Sequence, residues 1–201
     1  MHYDIVKINK DECSTSEWSG GSTTELCIYP SNAQYKSRNF KWRVSSATID
    51  DLESDFTNLP GINRVLMVLN GSMKLEHKDY YEIQLDPFEK DAFEGGWNTK
   101  SYGRGVDLNI MTDKSCMGTL IHLEVEKEVN VQALPRNETY NNTMSGLYIP
   151  KGDAVIKCNN KEFHCKSGDL LSIYYSHYED NPDVRIYSEN KLDVVGIHIE
   201  Y

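Results

Sequence analysis

The segment "FKWRVSSATI" (residues 40–49) carries the pattern that decides the fold class. Aromatic and β-branched residues dominate it, and such residues favour extended strands. Because alternate side chains of a strand face opposite sides, Trp42 and Val44 share one face while Arg43 and Ser45 share the other. The segment is therefore predicted to be a strand with one apolar face and one small, polar face that carries an arginine.

Nine further segments have the same strand character, and turn-forming residues separate them. They are RVLMVL (64–69), MKLEH (73–77), YYEIQL (80–85), VDLNIM (106–111), GTLIHLEV (118–125), SGLYIP (145–150), AVIKC (154–158), DLLSIYY (169–175) and LDVVGIHIEY (192–201). The helix candidate is the short segment "TIDDLESDF" (48–56). Many short strands at this spacing predict an all-β sandwich or barrel.

Two dipeptides predict tight turns between strands. Asn70-Gly71 has the sequence of a type I′ hairpin turn. Asn159-Asn160 predicts a second hairpin, because Asn also tolerates positive φ. The pattern of strand, tight turn and strand thus occurs in both halves of the chain. We therefore expect two β lobes, residues 1–114 and 115–201, with no flexible linker between them.

The composition excludes several classes of partner. The 201-residue chain has a formal net charge of −10, which leaves no basic face for nucleic acid or an anionic membrane. No apolar run approaches the ~20 residues of a membrane span. The first residues lack the apolar core of a secretory signal, and the five cysteines form no CxxC motif. We expect a cytoplasmic protein with reduced thiols.

Polar residues recur at alternate positions inside otherwise apolar strands. Arg43 and Ser45 share one strand face, and Asp107 and Asn109 share a face of "VDLNIM". Glu25 and Arg64 are further candidates for the same surface. Two interpretations are open: these faces line one interior, where buried charges need partners or a ligand, or they form the wet face of an antiparallel sheet.

Motifs for metal binding, nucleophilic catalysis and phosphate binding are not found. The six histidines form no HxH, HxxxH or HExxH spacing, and no GxSxG is present. Gly20-Gly21, in "WSGGSTTEL" (18–26), is followed by neither the GK[ST] of a P-loop nor a dinucleotide fingerprint. No metal and no cofactor are therefore expected, and the two glycines are interpreted as a place where backbone passes close to another group.

A series of short motifs resembles the HutD/Ves family. It comprises W-x-G-G-x-T-x-E (18–25), W-R-x-S-x-A (42–47), Phe56 with P-G-x-x-R (60–64), F-x-G (93–95) and G-x-D-x-N-x-M (105–111). The resemblance implies a bicupin, with two β-barrel or jelly-roll lobes in one chain, and a role in histidine utilisation in some bacteria. Gly96 stands where the family usually has Asp, so the ligand specificity can differ here.

The resemblance favours the interior interpretation and thereby a binding function. We expect a small carboxylate-containing metabolite as ligand, with a regulatory role in amino-acid (histidine) catabolism. The expected ligand-binding residues are Trp18, Arg43, Ser45, Arg64, Asp107 and Asn109. Trp18 is interpreted either as a lid or side wall of the pocket or as a core tryptophan.

Two other classes of function stay open. One is a metal-independent isomerase or lyase with Asp107 or Glu25 as general base. The other is an interaction protein, with the tyrosine-rich segment 170–190 as its contact surface. A homodimer is possible in either case.

Overall fold

The computed structural model describes residues 3–201, and nearly all of its regular structure is β. Within these residues the helical segments are two 3₁₀ turns, Lys10–Glu12 and Tyr35–Ser37. None of the helices in this range has the length and apolar character that crossing a bilayer requires. The all-β fold class predicted from the sequence is confirmed.

One compact unit consists of Cys13–Leu120. Its strands are β2 (Ser14–Trp18), β3 (Gly21–Tyr29), β4 (Trp42–Ile49), β5 (Glu53–Asp55), β6 (Asn63–Gly71), β7 (Met73–His77), β8 (Tyr81–Leu85), β9 (Lys90–Glu94), β10 (Thr99–Tyr102) and β11 (Gly105–Thr112). A six-stranded sheet has the order β2-β3-β4-β11-β6-β9, and a four-stranded sheet has the order β5-β10-β7-β8. Apolar side chains of both sheets, such as Leu66 and Leu75, pack into one buried cluster.

The other compact unit combines residues 3–12 with Ile121–Tyr201. Its sheets use β1 (Asp4–Ile8), β12 (Met117–Val125), β13 (Glu128–Val131), β14 (Asn142–Tyr148), β15 (Asp153–Cys158), β16 (Lys161–Lys166), β17 (Leu170–Ser176), β18 (Val184–Tyr187) and β19 (Leu192–Glu200). The five-stranded sheet has the order β1-β17-β14-β19-β12, and the four-stranded sheet β13-β18-β15-β16. Each unit is thus a pair of antiparallel sheets of the jelly-roll type.

From the sequence we expect a single boundary after residue 114. The structure instead assigns the first strand of the chain to the same unit as the C-terminal residues. β1 pairs antiparallel with β17, from Asp4 opposite Tyr174 to Ile8 opposite Leu170. The first strand of the chain therefore completes a sheet that is otherwise built from the second half. Strand patterns in the sequence do not show this pairing, because they identify strands without identifying their partners.

Two local predictions are wrong. Residues 48–56 are not helical: β4 continues to Ile49, and β5 pairs with β10 through Ser54 opposite Ser101. Leu52, in the middle of this segment, is 68% exposed. Asn70-Gly71 is not a hairpin turn, because β6 and β7 belong to different sheets.

The second predicted turn is confirmed. β15 and β16 pair directly, with Cys158 opposite Lys161, so Asn159 and Asn160 form a two-residue connection. Asn159 has a φ of 51°, the positive value for which Asn is suited. Its side-chain Oδ1 also accepts a hydrogen bond from the Asp183 backbone N–H at 3.1 Å. The two halves of the chain therefore differ in this connection. Asn159-Asn160 joins two paired strands, whereas Asn70-Gly71 lies where the chain passes from one sheet to the other.

Candidate functional site

Cross-strand pairing places most of the predicted polar residues on one face of the six-stranded sheet. Directly opposed residues of an antiparallel pair lie on the same face. The registers of β6, β11 and β4 give three rows on this face: Arg64–Met111–Arg43, Leu66–Asn109–Ser45 and Val68–Asp107–Ala47. Glu25 of β3 lies opposite Ser45 and extends the second row.

This face is buried. Arg43, Ser45, Arg64, Asp107 and Asn109 are all among the buried residues of the unit, and none is more than 7% exposed. The alternative of a solvated sheet face does not describe them. Two arginines, an amide, a hydroxyl and a carboxyl therefore share one interior with an apolar cluster that includes Leu66 and Val68. Burial of such groups is unfavourable unless something compensates it.

Arg43 is compensated by its neighbours. Its Nε donates to Glu25 Oε2 at 2.7 Å, and its Nη1 donates to Ser45 Oγ at 2.9 Å. The guanidinium carbon lies 4.4 Å from the centre of the Tyr35 ring, a cation–π distance. These contacts fix the position of the Arg43 side chain, and they also occupy the Glu25 carboxylate.

Arg64 has no comparable partner. The ion pairs of residues 3–201 do not include it, and its Nε has no hydrogen-bond acceptor within that range. Its guanidinium carbon lies 4.6 Å from the centre of the Phe56 ring and 5.3 Å from that of Phe93. Burial lowers the pKa of Arg64 to about 10, while the Asp107 carboxyl opposes this shift. Arg64 remains a cation at neutral pH and is held against two aromatic rings, with no carboxylate oxygen within ion-pair distance among residues 3–201.

The side chains of Asp107 and Asn109 also form no hydrogen bond with the described residues. Burial raises the pKa of Asp107 to about 7, and the Arg64 cation only partly opposes this effect. Within residues 3–201 no hydrogen bond reaches the Asp107 carboxyl. Ser46 Oγ donates to the backbone oxygen of Asp107 and not to its side chain. Within the same range, Asn109 Oδ1 is buried without a donor. The interior thus holds a cation, an ionisable acid and an amide whose hydrogen-bonding capacity is unused.

Trp18 lies opposite Gly21 in the register of β2 and β3. It is on the edge strand β2, is 38% exposed, and donates from Nε1 to Thr23 Oγ1 at 3.1 Å. The interpretation as a core tryptophan therefore does not hold. A Cβ atom on Gly20 would lie 2.4 Å from the Trp18 ring and 2.6 Å from Ser54 Oγ. Gly20 is thus required for the close approach of the Trp18 ring to the backbone.

A second polar group in this unit was not predicted. His77 Nε2 lies 2.8 Å from Asp91 Oδ2, and His77 Nδ1 lies 2.9 Å from Thr99 Oγ1. Tyr81 donates to the same Asp91 carboxylate at 3.0 Å. The Phe93 ring contacts both His77, at 4.5 Å between ring centres, and the Arg64 guanidinium. Sequence spacing gives no signal for this network, because its members come from four strands or their flanks.

Metal-ligating side chains are not clustered in the described part of this unit. Among residues 3–201, no group of three His, Cys, Asp or Glu side chains is placed so that it could hold a metal ion. His77 is already bonded through both ring nitrogens, to Asp91 and Thr99. Arg64, Asp107 and Asn109 are buried polar side chains of this interior that a ligand could contact.

The paired sheets of the two units are those of the bicupin class, and comparison with solved structures supports this. Oxalate decarboxylase OxdC of Bacillus subtilis is 7% identical, with a TM-score of 0.63 over 96% of this chain and 76% of that one. The bicupin prediction is confirmed. The chain belongs to the HutD family, whose profile matches residues 10–184. The family assignment made from the motifs is therefore confirmed as well.

Two other solved structures are similar along nearly the whole chain. The conserved protein of unknown function PA5104 from Pseudomonas aeruginosa PAO1 is 18% identical, with a TM-score of 0.78 and 98% of each chain covered. HutD from Pseudomonas fluorescens SBW25, in a formate condition, is 18% identical, with a TM-score of 0.67 over 96% of this chain and 98% of that one. At these identities the similarity shows the fold alone. Family membership is consistent with a role in histidine utilisation.

Proposed function

We propose that this protein binds a small carboxylate metabolite in the interior of the Cys13–Leu120 unit and acts as a regulatory binding protein in histidine catabolism. The single observation that carries the proposal is the state of Arg64. It is a buried guanidinium with aromatic rings beside it, an unused Nε donor and no carboxylate partner within residues 3–201. A carboxylate ligand supplies both the missing charge and the missing acceptors.

The contacts of the two arginines support different roles for them. Arg64 is the proposed anion anchor, because its donors are available. Arg43 lies two strands away in the same row, and Glu25 and Ser45 hold it in place. Adjacent strands are about 4.8 Å apart, so the two Cα atoms are separated by about 10 Å, a span that suits a metabolite of a few carbon atoms. Asn109 Oδ1 offers an acceptor for a polar hydrogen of the ligand.

Replacing Arg64 with Met tests the anchor. Loss of one partner of a buried charge pair is expected to weaken carboxylate binding by about 30-fold or more. The free protein should unfold no more easily than the wild type, because the substitution removes a buried, unpaired charge. Calorimetric titration would use formate and the carboxylate intermediates of histidine breakdown, with their amides as matched neutral compounds.

Arg104→Met is the control, because Arg104 is an exposed arginine of the same unit. It should bind like the wild type. Equal affinity of the wild type and Arg64→Met for every carboxylate, or equal affinity for acids and amides, would contradict the proposal.

The pH dependence of binding gives a second test. The pKa of Asp107 is about 7, so above this pH its carboxylate competes with a ligand carboxylate for Arg64. We expect the affinity for carboxylates to fall as the pH rises from 6 to 8, with pH values chosen around that pKa. The Asp107→Asn variant should not show this decline. An affinity that rises with pH would contradict the assignment of Asp107 to the ligand site.

Asp107 also supports a second candidate function. A buried carboxyl with a pKa of about 7 is suited to general base catalysis near neutral pH, so an isomerase or lyase on the same kind of ligand is the alternative. Glu25 is less suited, because Arg43 occupies it at 2.7 Å. Conversion of the ligand, followed by NMR and abolished in Asp107→Asn while binding persists, would favour the enzyme. Recovery of the unchanged ligand would favour the binding protein.

A further inference from the structure

A cavity of about 240 Å³ lies inside the other unit, far along the chain from the proposed carboxylate site. One wall is the face of the five-stranded sheet formed by β14, β17 and β19, with β12 beside them. The opposite side is formed by residues 130–134, Pro182 and Val184. The cavity therefore occupies the space between the two sheets of this unit, where a jelly-roll fold commonly holds a small molecule.

The lining of this cavity is mostly aliphatic. It includes Ile121, Leu123, Leu134, Ile173 and Ile197. Of the described residues that line it, none is Asp, Glu, Lys or Arg. An ion placed here would lose its hydration without a counter-charge, which is strongly unfavourable. The cavity is therefore suited to a neutral molecule, in contrast to the interior around Arg64.

His198 is a buried polar residue of the cavity wall whose hydrogen bonding is incomplete within the described residues. It is 7% exposed, and its Nε2 has no hydrogen-bond partner within residues 3–201. Glu200 Oε1 is 3.9 Å from Nε2, which is beyond hydrogen-bond distance. Burial lowers the pKa of His198, an effect that Glu200 opposes and Arg136 reinforces, so the imidazole is neutral at physiological pH.

The two hydroxyl groups of the wall, on Ser145 and Tyr175, already have a partner in each other. Ser145 lies opposite His198 on the neighbouring strand, and its Oγ is 2.9 Å from the Tyr175 hydroxyl. Each of the two hydroxyl groups, one on β14 and one on β17, is therefore a hydrogen-bond partner of the other. Asn130 and Gln132 also line the cavity, but both residues are exposed; among the buried side-chain atoms of the lining, His198 Nε2 is the one without a hydrogen-bond partner within residues 3–201.

We propose that this cavity binds a neutral, single-ring aromatic compound that carries a hydroxyl group, with the ring among the aliphatic side chains and the hydroxyl on His198 Nε2. The size agrees, since a cavity of about 150 Å³ is sufficient for benzene, and the remaining volume admits one or two substituents. A hydroxyl can donate to Nε2 or accept from it, so it matches either tautomer of the neutral imidazole. This site is independent of the carboxylate site.

Binding of p-cresol and toluene to the full chain separates the two parts of the proposal. The two compounds share a ring and a methyl group, but only p-cresol has the hydroxyl. Titration followed by NMR should show both bound by the wild type. In His198→Leu, the affinity for p-cresol should fall about tenfold, as expected for one lost hydrogen bond in a buried site, while that for toluene stays within about twofold.

A second variant tests the location. Gly196 lines the cavity, and a Cβ atom there would meet its nearest neighbour at 3.6 Å, an ordinary contact distance. Gly196→Leu should therefore be accepted and should fill part of the space, so that both compounds bind at least about tenfold more weakly. Arg64→Met should leave both affinities unchanged.

Three results would overturn the proposal. The first is no binding of either compound to the wild type at millimolar concentration. The second is an equal loss of both compounds in His198→Leu at an unchanged melting temperature. The third is a loss of p-cresol binding in Arg64→Met, which would place the compound in the carboxylate site. Thermal unfolding of each variant identifies one that has lost its fold, and Gly196→Leu and His198→Leu provide separate routes to the same question.

Discussion

Replacing Asp107 with Asn is expected to raise the free energy of unfolding above pH 7 by up to about 4 kcal/mol. Burial raises the pKa of this carboxyl from 3.8 to about 7 in the folded protein. Between these pH values the folded state retains a proton that the unfolded state has lost, so stability falls as the pH rises. Asn has nearly the same shape and cannot ionise. The stability of the variant therefore does not fall with pH for this reason.

The measurement is urea unfolding of the wild type and Asp107→Asn at pH 5 and pH 8. The difference between the two proteins should grow by about 2–3 kcal/mol over this range, because most of the ionisation of folded Asp107 falls within it. Parallel pH profiles would show that Asp107 is not desolvated as the structure describes.

Asp169 provides a control of opposite sign. Burial alone would raise the pKa of Asp169, but hydrogen bonds from the backbone N–H groups of Lys166 and Lys10, together with the Lys7 ammonium, lower it overall. A lowered pKa stabilises the folded state above the pKa of the unfolded carboxyl, and this contribution is lost as the pH falls. Asp169→Asn should therefore destabilise the protein at neutral pH, with a smaller effect in acid.

Replacing Gly21 with Ala is expected to destabilise the protein by about 3 kcal/mol or more. A Cβ atom at this position would lie 1.9 Å from the backbone oxygen of Thr48. That oxygen is part of β4, directly beside β3, so the clash can be relieved only by moving one strand away from the other. Chemical denaturation would measure the loss as a lower midpoint.

Two neighbouring comparisons isolate the cause. In Gly20→Ala the new Cβ meets the Trp18 ring and Ser54 Oγ, which are side-chain groups, and the half-exposed Trp18 ring can turn away. In Gly61→Ala the φ of +80° is unfavourable, but no atom lies within 4 Å. Each should be less harmful than Gly21→Ala, with about 1–2 kcal/mol for the backbone conformation at Gly61. If Gly20→Ala lost as much stability as Gly21→Ala, the contact with the Trp18 ring would be as important for stability as the close approach of Gly21 to β4.

Strand parity predicted the composition of the buried polar face correctly. Arg43 and Ser45 on β4, and Asp107 and Asn109 on β11, were assigned to common faces from alternation alone, and the registers place them in adjacent rows. Parity could not say whether this face is wet or buried, because both sheet types alternate in the same way. Family resemblance favoured the interior, and the burial of these residues agrees with it.

Features that depend on which strands pair could not be predicted from the sequence. Asn70-Gly71 has the composition of a hairpin, yet the chain leaves one sheet and enters the other there, with Gly71 at a φ of +83° close to the Arg104 carbonyl. The pairing of Arg43 with Glu25, and its absence for Arg64, likewise follows from register and side-chain reach. In the sequence, His198 is one of several scattered histidines. Its position opposite Ser145 follows only from the pairing of β14 with β19.

The position of β1 has a consequence for synthesis on the ribosome. Residues Cys13–Leu120 supply both sheets of their own unit, so this unit can fold while later residues are still being translated. β1 must wait until its partner β17 has emerged, more than 150 residues later. A fragment that starts at residue 115 lacks β1 and leaves the β17 edge without its partner, and such an edge is a template for association between molecules.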